Sequence, residues 1–573
     1  MSTWSSSYFE TLPDWSWAGY KQGADIPLPA APTVTVECDR SGTTDVTLVI
    51  QQAIIDVAKR GGGTVYLPAG VYRISPQTKT LWPQPRQYGG VEGNAYSLWI
   101  PASGVALRGD GPGKTKLYNA DWRMRGKTVI MVKPDMQAGW ASVWWPIPNT
   151  MQAVTADLAI GATRIPLVNA TQFAVGQWVV INCDLTAQWI KQWDMADIWG
   201  PGAFMADGRT ATQGPTHYAK VVRVEENALT IDVPVMFPML RRDAVKVYRV
   251  LPHLQDVGIR DLSIGMAECP LPGTGRADHD VQGTGAWYAN DSDMIRMDHV
   301  VDCYISSVAT FAPTGNVTQY PGTGQYYQPG GHILSNGIKL ILTRSVTIEG
   351  CRIERPMYRG GGGNGYLYAI RGAHTLIRNC VAVDGRHNFQ AQEIFAVGNV
   401  FTKCTSIQHT GSHCDTHRGL AVSQLWDDMT LDGDAIVMMY GQGQTTTRSC
   451  VWNVRCDRAH WYHQPPYMEK AICVDCRQIG EGWVVGTSGS VPDVEYLTTD
   501  VAKGHPSVPA DVVEGVGKGA SLEPQSLYAA QLAKRLGTAT SPALPPAPKT
   551  VEEILADHER RIALLEKRGE QDA

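Results

Sequence analysis

The sequence predicts an all-β solenoid, a chain wound into short stacked turns, and three observations carry that expectation. The chain has 573 residues, of which only 18% are charged and 58 are glycine. That length exceeds one ordinary core, but a solenoid grows by repetition, and the composition suits strands and turns better than helices. Cys351, Cys380, Cys404, Cys450 and Cys473 stand 29, 24, 46 and 23 residues apart, and 46 is two steps of 23. Regular spacing near 24 is the repeat of a coil rather than a disulfide framework, with small apolar thiols stacked inside. The third observation is the stretch GTTDVTLVIQQAIIDVAKRGGGTVYLPAGVYRI, from Gly42 to Ile74, where the pattern changes from helix to strand.

Within that stretch Val46, Val49, Ile50, Ala53, Ile54 and Val57 recur at helical spacing and give a short helix one apolar face. Gly61, Gly62 and Gly63 stop the helix, Thr64 to Leu67 reads as a strand, and Pro68-Ala69-Gly70 turns the chain into Val71 to Ile74. A helix followed by GGGTVYLPAGxY resembles the N-terminal entry of the pectate-lyase-like right-handed parallel β-helices. That superfamily includes secreted polysaccharide lyases and hydrolases and many phage tailspikes. DWSWAGYKQG (14–23) also looks like a phrase found in bacterial pectate-lyase-like proteins. The resemblance implies a right-handed parallel β-helix whose N-terminal capping helix hides the backbone edges of the open end.

The repeat extends that reading along the chain. Ten residues before the first four cysteines stand Ile341, Ile370, Ile394 and Tyr440; three before the first three stand Ile348, Ile377 and Phe401. We expect an N-terminal arm (1–40), the capping helix and first turns (41–150), and the main coil (251–488). An inserted small β-domain (151–250) is expected from alternating strands and the FxVGxxVxI phrase at Phe173 to Ile181. A linker with a short docking helix (489–548) follows. Val551, Leu555, His558, Ile562 and Leu565 then form a heptad seam, a short coiled-coil tail (549–573) that points to self-association, and tailspikes with this coil are commonly trimers.

A net charge of −5 without a basic block excludes nucleic acid as an expected partner, and no run of eighteen apolar residues spans a membrane. The N-terminus lacks the basic and apolar regions of a Sec signal, which is either absent or removed. The expected location is extracellular or the virion, in a phage tail, and the missing signal with the coiled tail pulls toward a phage origin. The lone pair Cys473 and Cys476 lacks a second pair for zinc.

Residues after the same strand in successive turns lie side by side, about 4.8 Å apart. Arg355 follows Cys351; Arg386 and His387 follow Cys380; His413, Asp415, His417 and Arg418 follow Cys404. Asp432, Asp434, Arg458, His460, Trp461 and Tyr462 continue the stripe. Such a stripe can hold an acidic sugar, position a base and stabilise charge at a carboxylate. Solvated loop residues and ladders that satisfy turn backbones are the structural alternative. HxDxH at His413 to His417 also suggests a metal, though calcium wants more oxygen ligands. Trp140, Trp144 and Trp145, and Trp189, Trp193 and Trp199, offer either sugar-stacking faces or packing for the insertion.

The resemblance implies either a lyase, with an Arg or Lys base and often calcium held by Asp, or a hydrolase with three Asp residues and Gly-His-Gly. The chain has no Gly-His-Gly, which favours elimination at uronic acid units. His387 or His417 would then abstract the proton, Arg386 or Arg418 neutralise the carboxylate, and Asp415 orient a histidine. Arg355, Asp432, Asp434, Arg458, His460, Trp461 and Tyr462 would bind substrate. Calcium is the one cofactor the resemblance allows, and the residues establish none. The expected activity is degradation of an extracellular or cell-surface polysaccharide by a depolymerase of tailspike type, assembled as a homotrimer and possible partner of phage tail proteins. A glycoside hydrolase on the same fold and a non-catalytic glycan-binding or structural spike are the alternatives, since the fold hosts all three.

Overall fold

A computed structural model describes residues 3–77, 96–134, 147, 149–193, 214–250, 253–316, 326–409, 413–417, 419–438, 445–458, 472–495 and 510–538. The expected coiled coil at 549–573 lies outside the described residues.

Parallel pairing between turns builds the coil. One column of inward residues runs Val65, Leu107, Ile259, Ile305, Ile348, Ile377, Phe401, Trp426, Val451, Val484 and Val513, each in register with the next. A second sheet carries Arg352–Glu354, Val381–Val383, Thr405–Ile407 and Thr430–Asp432 in succession. A third carries Tyr96–Ile100, Thr128–Val132, Asp293–Asp298, Asn336–Glu349, Tyr366–Ala373, His387–Gln392, Cys414–His417, Ile436–Met438 and Val474–Cys476. These three sheets enclose one apolar core, so each turn buries its face only against its neighbours. The architecture is a parallel β-helix.

Two residues past the first column, the corner between the first and second sheets is left-handed in turn after turn. Asp261, Ser307, Gly350, Asn379, Lys403, Asp428, Asn453 and Gly486 all have φ between 50° and 70°. Only glycine adopts this conformation freely, and Asn and Asp tolerate it best among the rest. One residue further on, the thiols of Cys351, Cys380 and Cys404 face the carbonyls of Glu349, Arg378 and Thr402 in their own turn at 3.4, 3.3 and 3.4 Å, and those of Ile305, Ile348 and Ile377 one turn below at 3.9, 3.6 and 3.5 Å.

The cysteine repeat is therefore real but shorter than its spacing suggests. Met429 and Val454 take the next two places three residues past the column. Cys450 instead lies within a first-sheet strand, opposite Leu425 and Trp483. The ten-residue alignment also slips. Ile341 pairs with Arg371 rather than Ile370, because the register shifts between Ile341 and Arg344 and the extra backbone is absorbed there. All twelve cysteines are free, and every one except Cys38 is buried.

The helix Thr47–Lys59 lays Ile50, Ala53, Ile54 and Val57 on the core at the start of the coil. Its Gln51 accepts from the Trp99 amide and donates to the Trp99 carbonyl, both at 2.8 Å. Gly62 has φ +119°, and a Cβ there would stand 2.6 Å from the Gly104 carbonyl, so glycine is required where helix gives way to strand.

A six-stranded antiparallel sheet spans Gln152–Ala153, Arg164–Pro166, Trp178–Asn182, Thr216–Glu225, Ala228–Ile231 and Lys246–Arg249. It joins the outer side of the coil through a core shared with Leu342, Ala373, Leu376, Val397 and Val422. Asp232 anchors it, meeting buried Arg344 of the coil at 2.7 Å and Gln22 of the arm at 2.8 Å. Trp189 and Trp193 are buried here against Phe237, so of the two roles for these rings the structure shows packing. Trp140, Trp144, Trp145 and Trp199 lie outside the described residues.

The helix Leu527–Arg535 and the N-terminal arm lie together across the first sheet. Trp15 is fully buried and donates to the Ser423 carbonyl at 2.6 Å. Asp427 receives the Leu527 amide and the Ser526 and Thr402 hydroxyls, at 2.8, 2.6 and 2.7 Å. No helix of the described residues is long and apolar enough to cross a membrane.

Candidate active site

The third sheet turns a charged face outward. Its register aligns Arg296, Lys339, Ala369, Gln390 and Asp415 in one row. Beside it, Asp298 opposes Ile341, Ile341 opposes Arg371, and Gln392 opposes His417. Tyr366 opposes His387 near the corner where these strands begin. Alternation along each strand sends one residue in and the next out, so consecutive turns give the outward face a largely polar surface interrupted at Ala369 and Ile341.

At one end of this face, imidazoles surround Asp415. His417 Nδ1 lies 2.8 Å from Asp415 Oδ2, His387 Nδ1 lies 3.2 Å from Oδ1, and His413 Nε2 lies 3.7 Å from Oδ2. The His387 and His413 rings meet edge to face at 4.7 Å. Burial pushes His387 well below the ordinary histidine range, against the pull of the Asp415 charge. Burial alone would raise Asp415, but the surrounding imidazoles hold its carboxyl well below the usual range, so it stays ionised.

His417 is the most open member, with about a quarter of its side chain exposed; His387 and Asp415 are nearly sealed. In the tautomer that donates Nδ1–H to Asp415, His417 presents the lone pair of Nε2, which lies 3.4 Å from the Tyr366 hydroxyl. Arg386 reaches the Gly360 carbonyl at 2.6 Å and sits 5.9 Å from the Tyr366 ring centre. The glycine run near Arg386 packs against a loop: Gly361 donates to the Arg276 carbonyl at 2.7 Å, and a Cβ at Gly362 would strike His279.

Further along the face, Lys339 Nζ bridges Asp291 at 2.6 Å and Asp293 at 3.5 Å. Asp298 gathers Lys133 at 3.3 Å, Arg296 at 3.0 Å and His299 at 2.5 Å. Arg371 reaches Glu393 at 3.3 Å and Gln392 at 3.1 Å.

The structure thus divides the sequence stripe. Arg386, His387, Asp415 and His417 come together on the third sheet, with His413 among them. Arg355, Asp432 and Arg458 sit on the second sheet or just past it: Arg355 is exposed and reaches the Pro329 carbonyl at 3.3 Å, while Arg458 pairs with Asp432 at 2.8 Å. Asp434 is buried at the turn between the sheets, where it accepts from Ser406, the Ala435 amide and the Cys414 amide. Arg418, His460, Trp461 and Tyr462 lie outside the described residues. Tyr366, Lys339 and Arg371 were not found by sequence reasoning. Their only signal is register with the strand above, which the slip after Ile341 conceals.

Residues 35–191 match the sequence pattern of the family described as "Rhamnogalacturonase A/epimerase, pectate lyase-like". The matched stretch holds the first helix and early turns and ends before the cluster at 366–417. No curated protein matches the chain by sequence. Among solved structures, the tailspike protein gp49 from Pseudomonas phage LKA1 is 11% identical, with a TM-score of 0.36, covering 83% of this chain and 77% of that one. The Gp54 tailspike of Acinetobacter baumannii bacteriophage AP22, solved with A. baumannii capsular saccharide, is 10% identical, with a TM-score of 0.28 and coverage of 79% and 68%. The tailspike of E. coli bacteriophage HK620, in complex with pentasaccharide, is 8% identical, with a TM-score of 0.35, covering 80% of this chain and 56% of that one.

Proposed function

We propose that this parallel β-helix degrades an acidic polysaccharide by elimination at uronic acid units, using the outward face of the third sheet. The observation that carries the reading is the Asp415–His417–Tyr366 line beside Arg386. Asp415 fixes the imidazole, and His417 Nε2 removes the proton from C5 of the sugar. The C5–H electrons form the C4–C5 double bond as the C4–O bond breaks. Tyr366 stands at 3.4 Å from Nε2 as the group from which the leaving oxygen takes a proton. Arg386 neutralises the sugar carboxylate and so favours loss of the neighbouring proton. His417 takes the role of base over His387, because His387 is only 2% exposed. Two imidazoles and one carboxylate do not suit calcium, which prefers a cage of oxygens, so no step is routed through that ion.

His417→Ala should lower kcat/KM on the true substrate by about 10²–10⁴-fold, read as ultraviolet absorbance of the unsaturated product. New reducing ends without that absorbance would sink elimination and favour hydrolysis. That second reading has its own support in Asp291 and Asp293. Burial raises Asp293, while Lys339 holds the more open Asp291 low against its own burial, and an acid and a base need carboxyl groups separated in this way. Binding with neither product would leave a glycan-binding spike. The proposed location is extracellular or in a virion, as a homotrimer alongside phage tail proteins.

A further inference from the structure

We propose that His387, His413 and Asp415 form a binding site for a divalent first-row transition ion, zinc(II) foremost. Their ligand atoms all lie within 4.8 Å of one another, and all three residues are buried. A tetrahedral site with bonds of about 2.0–2.1 Å has edges of about 3.3 Å. His387 Nδ1 lies 3.2 Å from Asp415 Oδ1, close to that edge, and His413 Nε2 lies 3.7 Å from the other oxygen, Oδ2.

The second observation is unmet polarity. His387 is 2% exposed, and neither of its ring nitrogens hydrogen-bonds to any described group; the same holds for Asp415 Oδ1. The 3.2 Å approach of His387 to Oδ1 is thus a close contact of two polar atoms that are not hydrogen-bonded to each other. Buried polar atoms this close without hydrogen bonds are costly unless a third party accepts them both, and a shared cation does so. Two neutral imidazoles with one carboxylate suit zinc, iron or nickel, whereas calcium and magnesium prefer oxygen.

Outer partners are present as well. Asp415 Oδ2 remains tied to His417 Nδ1 at 2.8 Å, which fixes the carboxylate so that Oδ1 points at His387. The site stands whether or not the elimination chemistry does, since the ion is held by the residues behind His417 rather than by His417 itself.

Chelator-stripped full-length protein, titrated with zinc(II) against a competing chromophoric chelator, should bind one equivalent per chain. His413→Ala and His387→Ala should each weaken binding by at least about 100-fold, and His417→Ala by no more than about tenfold. Circular dichroism and the unfolding midpoint show whether each variant has folded. A tetrahedral cobalt(II) absorption band in the wild type, absent from a folded His413→Ala chain, gives a readout independent of affinity. The proposal is overturned if zinc binding is absent, if it is equal in the wild type and a folded His387→Ala/His413→Ala chain, or if calcium competes with zinc at equal concentration. A chain that binds zinc but yields no unsaturated product would defeat the elimination reading alone.

Discussion

Asp427 and Asp428 show how a single position in the coil can be set against its own charge. Burial pushes the Asp427 carboxyl up to about 6, despite three donors, and burial together with the charge of Asp427 pushes Asp428 up to about 7. Both groups hold a proton more tightly folded than unfolded. Their contribution is therefore complete below the ordinary carboxyl range of about 4 and is lost as pH rises through 6 and 7. Asp428→Asn keeps a residue that tolerates φ 50° and removes the like charge. Its unfolding midpoint should rise by ~2 °C at pH 8 and stay unchanged at pH 4, a difference that calorimetry at the two pH values would resolve. Equal shifts at both would rule out the electrostatic cause. Asp427→Ala removes the acceptor for Leu527, Ser526 and Thr402 and should cost about 1–3 kcal/mol.

At the scale of elements, that cost should fall on the helix Leu527–Arg535. Besides Asp427, its polar ties are to the arm: Tyr528 to the Ala18 carbonyl at 2.9 Å, and Arg535 to Ser16. Limited proteolysis of Asp427→Ala should cleave near residue 527 faster than in the wild type, with the coil left intact; an unchanged pattern would mean the arm alone holds the helix. The sequence made some elements legible and hid others for a physical reason. Ile348, Ile377 and Phe401 were visible because stacking selects like side chains at one position in successive turns. Of the outward row from Lys339 to Asp415 only Asp415 was, because each member meets a different partner and nothing forces them to resemble one another. His413 was visible only as part of HxDxH, and its place beside His387 depends on the pairing of two distant strands.

For the whole molecule, the cysteines decide what does not hold it together. All twelve are free, and the Cys351, Cys380 and Cys404 thiols lie against backbone carbonyls of their own and the neighbouring turn. Stability comes from stacking of turns, so the unfolding midpoint should be the same with and without dithiothreitol; a fall on reduction would reveal a cross-link. The family pattern, ending at residue 191, fits this division of labour. The entry helix and first turns carry the recognisable signature, while the charged face that gives the proposal its chemistry lies in later turns.

The left-handed corner has a consequence for how such a chain can change length. From Ile377 to Phe401, Trp426 and Val451 the steps are 24, 25 and 25 residues, and each step repeats the same corner two residues on. Extra length enters away from this corner: from Ile305 to Ile348 and from Ile348 to Ile377 the steps are 43 and 29 residues, yet the corner two residues past each column residue keeps its positive φ. His387 and Asp415 lie on third-sheet strands of neighbouring turns. Lengthening the rod above or below them leaves their spacing untouched, whereas a turn added between them would pull the cluster apart by about 4.8 Å.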